Sequence, residues 1–279
     1  VETTYSTYQT FEGVKFPTRV VQSQGGYPVL DLTVTQVKPN QAVPVSVPGN
    51  ISSPPPAAPP AVAQSQKLGD GLWLLPTSHN SLVVEFADHI VVLEGPLGEA
   101  RSDFVIAEAH RLVPNKPIRY VVNTHQHFDH SGGLRTFAAE GATIVTAAMY
   151  KPYYDRVFAL PHTLNPDKLA KAGKKAVVEG VNGKRVMMDA TRTIELHVLQ
   201  PSAHNAAMMV VYLPKEKILI NADLFTPPPA DAPTPAMPAP LAVALYNEIQ
   251  RLKLDVAQIV PIHGAPGAYA SLSRAIGKS

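Results

Sequence analysis

Cysteine is absent from these 279 residues, and that removes several chemistries at once. No structural disulfide, thiolate-bound zinc, iron–sulfur cluster or thiol nucleophile can be built from this chain. The redox compartment stays open, because a thiol-free chain suits an oxidising space as well as a reducing one. No apolar run reaches the length needed to cross a bilayer. No signal peptide stands at the start either; the chain opens in strand-like sequence, as a processed product would. A strong charge of one sign is missing too. The formal net charge is +2, and the 24 basic residues are scattered. That argues against nucleic acid as a partner, since phosphate binding gathers cations into a stripe. The densest basic stretch, Lys168, Lys171, Lys174 and Lys175, has helical spacing and reads as a solvated helix face.

What is present describes a globular protein: 45% hydrophobic residues and 16% charged, enough for one large domain with a smaller companion. Residues 1–47 read as β. Tyr5 to Phe11, Phe16 to Gln22 and Val29 to Thr35 alternate with period two, and Glu12-Gly13 and Gly25-Gly26 supply the turns. Three such strands make a sheet with an apolar face, not a self-sufficient domain. Residues 48–66 are a linker, because the run from Ser52 to Pro60 favours an extended polyproline spacer. From residue 67 to 279 the pattern becomes mixed. Strands are expected at 71–75, 81–86, 89–94, 118–123, 143–145, 176–180, 184–188, 192–199, 207–213, 217–221 and 256–260. Helices are expected at about 100–112 (with Ser102 as N-cap), 134–140, 147–159, 166–173, 241–253 and at the end. Sheets with helices outside them imply a layered α/β architecture.

Directly after the apolar strand ending at Asn123 comes Thr124-His125-Gln126-His127-Phe128-Asp129-His130. Three imidazoles and a carboxylate this close pack no core. They suit divalent metals, whose usual ligands are neutral imidazole nitrogens and carboxylate oxygens. Three more residues stand just beyond apolar strands or in a loop between them: His204, Asp223 and His263. They can converge on the same rim of a sheet.

The ordered set HxHxDH followed by His, Asp and His resembles the signature of the metallo-β-lactamase superfamily over roughly 67–279. The resemblance implies an αββα sandwich with metals in a groove along one edge. It implies that His125, His127 and His204 hold one metal, that Asp129, His130 and His263 hold a second, and that Asp223 bridges the two. Two zinc ions are the expected cofactors. A hydroxide held by the metals would attack an ester, lactone, thioester or amide carbonyl, with Asp129 orienting it and passing on its proton. Many members of the family carry Asp at the end of an early strand where this chain has Glu94 in Val92-Leu93-Glu94-Gly95-Pro96. A longer carboxylate there can still receive a ligand imidazole N–H.

One fold hosts many reactions, and lengths prune them. Sixteen residues follow His263, and 40 positions separate Asp223 from His263. Neither the helical C-terminal domain of hydroxyacylglutathione thioesterases nor the large insert of RNA-processing nucleases fits. An acid at Asp223 makes β-lactam hydrolysis a secondary activity. The alternatives are a persulfide dioxygenase-like enzyme with a single iron, or a non-enzymatic binding component. The wording "GVKFPTRVV…LDLTVTQVKPN" near the start resembles the periplasmic lipoprotein carrier and sorting fold. It implies a periplasmic or secreted location and contact with lipid or lipoprotein through the first segment.

Among the other five histidines, His197 alternates against Ile194, Leu196 and Val198 and is expected to face solvent, while His110 lies on a helix. His89 and His162 carry no assignment, and His79 is the one expected near the groove. The stripe Tyr150, Tyr153, Tyr154 and Phe158 has the spacing of a core-facing helix, and the Pro-rich stretch 226–240 is expected to wall the opposite side.

Overall fold

The computed structural model describes residues 2–24, 26–42, 64–229, 232 and 237–278. The chain divides into two compact units, Val1–Pro59 and Pro60–Ser279. Most of the expected linker, residues 48–63, lies outside the described residues.

The first unit is an antiparallel sheet of β1 (Glu2–Phe11), β2 (Val14–Gln24) and β3 (Tyr27–Thr33), in that order. Glu12 and Gly13 both have positive φ, 46° and 86°. That is the conformation a two-residue hairpin turn requires, and it matches the twist of the strands. Thr18 is the only buried residue among those described in this unit. Tyr5, Tyr8, Phe16 and Tyr27 are all exposed, so the sheet has no core of its own.

The second unit is the expected α/β sandwich. Its first sheet contains β4 (Gln66–Gly69), β5 (Leu72–Leu75), β6 (Ser81–Glu85), β7 (Ile90–Leu93), β8 (Ile118–Val122), β9 (Thr143–Ala147) and β10 (Val177–Val181). They run in the order β10-β9-β8-β7-β6-β5-β4. The second contains β11 (Lys184–Met188), β12 (Thr193–Val198), β13 (Met209–Leu213), β14 (Ile218–Asn221), β15 (Gln258–Pro261) and β16 (Gly267–Ala268), in chain order. Apolar residues of both sheets belong to one continuous core. β7, β13 and β14 are buried at every position, which is why they read as unbroken apolar runs.

The helices are α1 (Glu99–Leu112), α2 (Phe128–Ser131), α3 (Leu134–Glu140), α4 (Lys151–Phe158), α5 (Lys168–Ala172), α6 (Pro240–Leu252) and α7 (Tyr269–Ala275). α3 packs on β8 and β9, and α7 on β16. α3 ends where expected, because Gly141 adopts φ 98° and its N–H reaches the carbonyls of Ala138 and Phe137. Among the described residues no helix is long and apolar enough to cross a membrane.

Four local expectations need correction. Gln66, assigned to the linker, pairs with Leu74 in the first hairpin of the sandwich. Ser102 is not an N-cap. α1 starts at Glu99 with Gly98 as its cap, and the buried Ser102 hydroxyl donates to the Gly133 carbonyl at 3.0 Å. His197 does not face solvent; it is 4% exposed, and its Nε2 meets Glu195 Oε2 at 2.9 Å. Alternation identifies the face of a strand but not whether other parts of the chain cover it; just beyond β12, the Gln200 N–H donates to Glu248 of α6. The lysine stretch is not one helix face. α5 stops at Ala172, and Lys174, beyond it, stays exposed while donating to the Ala139 carbonyl.

Candidate metal centre

Both sheets bring parallel strand ends to one rim. In the first sheet β7 pairs in parallel with β8, and in the second β14 pairs in parallel with β15. Glu94 follows β7, His125 to His130 follow β8, Asp223 follows β14 and His263 follows β15. Ligand sites of open α/β sheets form beyond such carboxyl ends, where the strands stop and loops can converge. The loop between β12 and β13 adds His204, and that between β5 and β6 adds His79. Backbone bonds join the sheets at this rim: Met209 N–H donates to the Thr124 carbonyl and Asn80 N–H to the Ile262 carbonyl.

All seven expected residues meet there. Asp223 Oδ2 lies 3.2 Å from His125 Nε2, 3.0 Å from His204 Nε2 and 3.1 Å from His130 Nε2. Its other oxygen, Oδ1, lies 2.9 Å from His263 Nε2. His125 and His204 bring their Nε2 atoms to 3.3 Å, and His130 and His263 bring theirs to 3.2 Å. Two ligand atoms ~2.05 Å from one tetrahedral zinc stand ~3.3 Å apart, so these separations are those of donors sharing an ion. His125, His127, His204 and Asp223 have one donor atom each within 4.8 Å of one another, and so do His130, Asp223 and His263. Asp129 Oδ2 sits 3.3 Å from His130 Nε2 and 3.7 Å from His263 Nε2. The donor set can therefore hold metal ions, and Asp223 belongs to two of its groups.

The imidazoles of His125, His130, His204 and His263 are held with Nε2 inward. Glu94, fully buried, spans two partners: Oε2 lies 2.9 Å from His130 Nδ1, and Oε1 accepts from the Thr124 N–H at 2.6 Å. His263 Nδ1 donates to the Ser78 carbonyl at 3.1 Å, and His125 Nδ1 meets Thr124 Oγ1 at 3.1 Å. Each contact occupies Nδ1 and leaves Nε2 for the cluster.

The electrostatics express an excess of donor charge. Burial alone would pull the His130 imidazole down, but the Asp223 and Glu94 carboxylates push it up to about 10. Burial would push Asp223 up, but His125 and His130 hold its carboxyl far below the usual range. Burial, with His125 and His204 close by, pushes the His127 imidazole down. A proton on His130 answers the same carboxylate excess that a metal cation would answer.

His79 also lies at the site: its Nε2 is 3.3 Å from Asp129 Oδ2. Of the aromatic stripe, Tyr150 and Tyr154 are core, whereas Tyr153 is 41% exposed. The 226–240 stretch is described only in part. Pro228, Met237 and Leu241 line, with Asp223, Leu224 and Phe225, a cavity of about 450 Å³.

Sequence reasoning missed the asparagines. Asn80, Asn123, Asn205 and Asn221 each stand within two residues of His79, His125, His204 or Asp223, and all four are buried. The Asn205 amide donates to the Gln126 side chain at 2.9 Å, tying the His204 loop between His125 and His127. The Asn123 amide donates to the His130 carbonyl. Asn221 brackets the Asp223 turn, accepting from the Phe225 N–H and donating to the Phe225 carbonyl. That turn places Asp223 at φ 60°, a left-handed backbone that Asp and Asn tolerate better than most residues. An asparagine beside four of these loops was a usable signal, because an amide satisfies both a donor and an acceptor in a tight buried turn.

Comparison with known proteins agrees with this geometry. The sequence profile described as the Metallo-beta-lactamase superfamily matches residues 74–263. A metallo-beta-lactamase from Pontibacter korlensis shares the fold at TM-score 0.57 and 20% identity, over 76% of this chain and 95% of that one. One from Hirschia baltica does so at TM-score 0.53 and 20% identity, over 76% and 95%. A mono-zinc metallo-beta-lactamase from Pseudomonas aeruginosa does so at TM-score 0.52 and 20% identity, over 76% and 92%. No curated protein matches the chain. With the profile spanning both the HxHxDH cluster and the last histidine of the rim, this chain belongs to the metallo-β-lactamase superfamily.

Proposed function

We propose that the second unit is a dinuclear-zinc hydrolase that cleaves an ester, lactone, thioester or amide carbonyl in a small molecule. The observation that carries this reading is the reach of Asp223, whose two oxygens contact donors of both halves of the cluster. Zinc bound there supplies an activated water near neutral pH and an electrophile for the carbonyl oxygen. His125, His127 and His204 would hold one ion, Asp129, His130 and His263 the other, and Asp223 both. Asp129 keeps 42% of its side chain exposed, which leaves it facing the groove. There it orients the attacking water and carries its proton to the leaving group. Glu94 keeps His130 in the tautomer that offers Nε2.

Solved structures that share the fold include metallo-β-lactamases, so β-lactam opening is the secondary activity to assay. The test is metal analysis of protein purified without added metal, followed by a panel of lactones, thioesters and β-lactams. About two zinc per chain with turnover of one class supports the proposal. One iron per chain with oxygen consumption would move the protein to persulfide dioxygenase-like chemistry, and a metal-free, inert protein would end the enzymatic reading.

For the first unit we propose a periplasmic address and contact with lipid or lipoprotein. Its exposed Tyr5, Tyr8, Phe16 and Tyr27 and its wording support this. Fractionation of cells and sedimentation of the full chain with phospholipid vesicles test it; a cytoplasmic protein that leaves vesicles bare would overturn it.

A further inference from the structure

The proposed dinuclear centre employs five histidines and two aspartates, and His79 is left over although it sits at the same rim. We propose that His79 is an additional donor to the second cation position, forming with Asp129 and His263 an outer ligand set. The inference rests on the dinuclear reading above.

Three observations support it. First, the spacing is that of ligands: His79 Nε2 lies 3.3 Å from Asp129 Oδ2, and His79, Asp129 and His263 each offer a donor atom within 4.8 Å of the other two. The His79 and His263 rings meet edge to face, with centroids 4.4 Å apart. Second, the ring is aimed. Its Nδ1 meets Ser78 Oγ at 3.1 Å, so Nε2 is the atom turned to the cluster. Third, the loop that carries it is built as one piece with the loop of His263. The His79 carbonyl accepts from Thr77 Oγ1 at 2.6 Å and from Arg101 Nη2 at 3.2 Å. The Asn80 amide donates to the carbonyls of Pro261 and Gly264 at 2.9 and 2.8 Å, on either side of His263. The Ser78 carbonyl in turn receives the His263 Nδ1 proton. A side chain held this firmly, with no apolar core to fill, is placed for its nitrogen.

The structural alternative is that His79 only donates an N–H to Asp129 and steadies it. Zinc affinity separates the two. The unsubstituted protein, His79→Ala and His79→Gln are titrated with zinc against a chromophoric chelator, with circular dichroism as the folding control. The cobalt(II) forms are then compared by visible absorption, which reports coordination number independently of turnover. The expected result is an unchanged first zinc and a second zinc weakened in both variants by more than the about 10- to 100-fold that losing a residue which only orients a ligand costs, with an altered spectrum for the second cobalt alone. Second-site affinity that stays within twofold in His79→Ala overturns the proposal. So does full recovery in His79→Gln, because an amide can replace the hydrogen bond to Asp129 but is a poor metal donor. If the unsubstituted protein takes up fewer than two zinc ions, the dinuclear reading itself fails and this inference falls with it. That result is distinct from a defect confined to the variants.

Discussion

Glu94 Oε2 lies 2.9 Å from His130 Nδ1, and neither side chain is exposed. The strand end that offers an aspartate in many relatives here offers a longer acid, and the extra carbon lets one carboxylate serve both the imidazole and the Thr124 N–H. Glu94→Ala should therefore lower affinity for the metal held by His130 about 10- to 100-fold. It should also destabilise the protein by about 2–4 kcal/mol, since two buried donors lose their acceptor. Chelator competition and urea unfolding of the metal-free protein measure the two effects separately. Glu94→Gln should lose less on both counts, because its amide oxygen keeps one bond.

The glycine step after the cluster has a steric cause. Gly132 and Gly133 have ordinary right-handed helical φ values, so conformational freedom is not what they supply. A Cβ on Gly133 would overlap Ser102 Oγ and the carbonyls of Pro96 and Gly95, and one on Gly132 would overlap the Leu97 carbonyl. Gly133→Ala should cost about 3 kcal/mol, the upper end for overpacking, because backbone cannot step aside. Thermal unfolding should show it, and Gly141→Asn, at an open left-handed helix end, should be far milder.

Tyr154 belongs to the aromatic stripe, yet its hydroxyl donates to Asn123 Oδ1 at 2.6 Å beneath the cluster. Tyr154→Phe should cost about 1–2 kcal/mol, since the ring still packs while a buried acceptor loses its main donor. Turnover should fall only a few-fold, because Asn123 holds the His130 carbonyl and not its imidazole.

Asp167 supplies a test in acid. The Arg135 guanidinium, with the Ala170 N–H, holds its carboxyl down to about 2. A carboxyl lowered by folding stabilises the protein above its unfolded value of 3.8 and loses that contribution as pH falls towards 2. The pair is partly solvated, so the contribution is about 1 kcal/mol. Asp167→Asn should lower stability at pH 7 by that amount and flatten the decline between pH 4 and 2, as equilibrium urea unfolding across pH can measure.

The parts of this protein legible in the sequence were those with local causes. β7, β13 and β14 announced themselves by their apolar runs, and α3 by its Gly141 stop. The HxHxDH cluster was legible because its ligands are neighbours in the chain. His204, Asp223 and His263 acquired meaning from their order and from strand ends, not from their own surroundings. The parts that were not legible depend on what lies across a gap. His197 is buried although its strand pattern points it outward, Ser102 faces the start of α3, and the buried asparagines matter only once loops from both sheets meet. His79 was expected near the groove, but nothing in its local sequence said that its loop is fastened to that of His263.

Asp223→Asn is the decisive substitution, because the amide keeps the left-handed turn and removes the charge that both halves of the cluster share. Zinc stoichiometry and turnover of the best substrate are measured on the same folded sample. The expected result is a fall from about two zinc per chain to one or fewer, with turnover down about a thousandfold and the circular dichroism unchanged. Two tightly held zinc ions with undiminished turnover would contradict it.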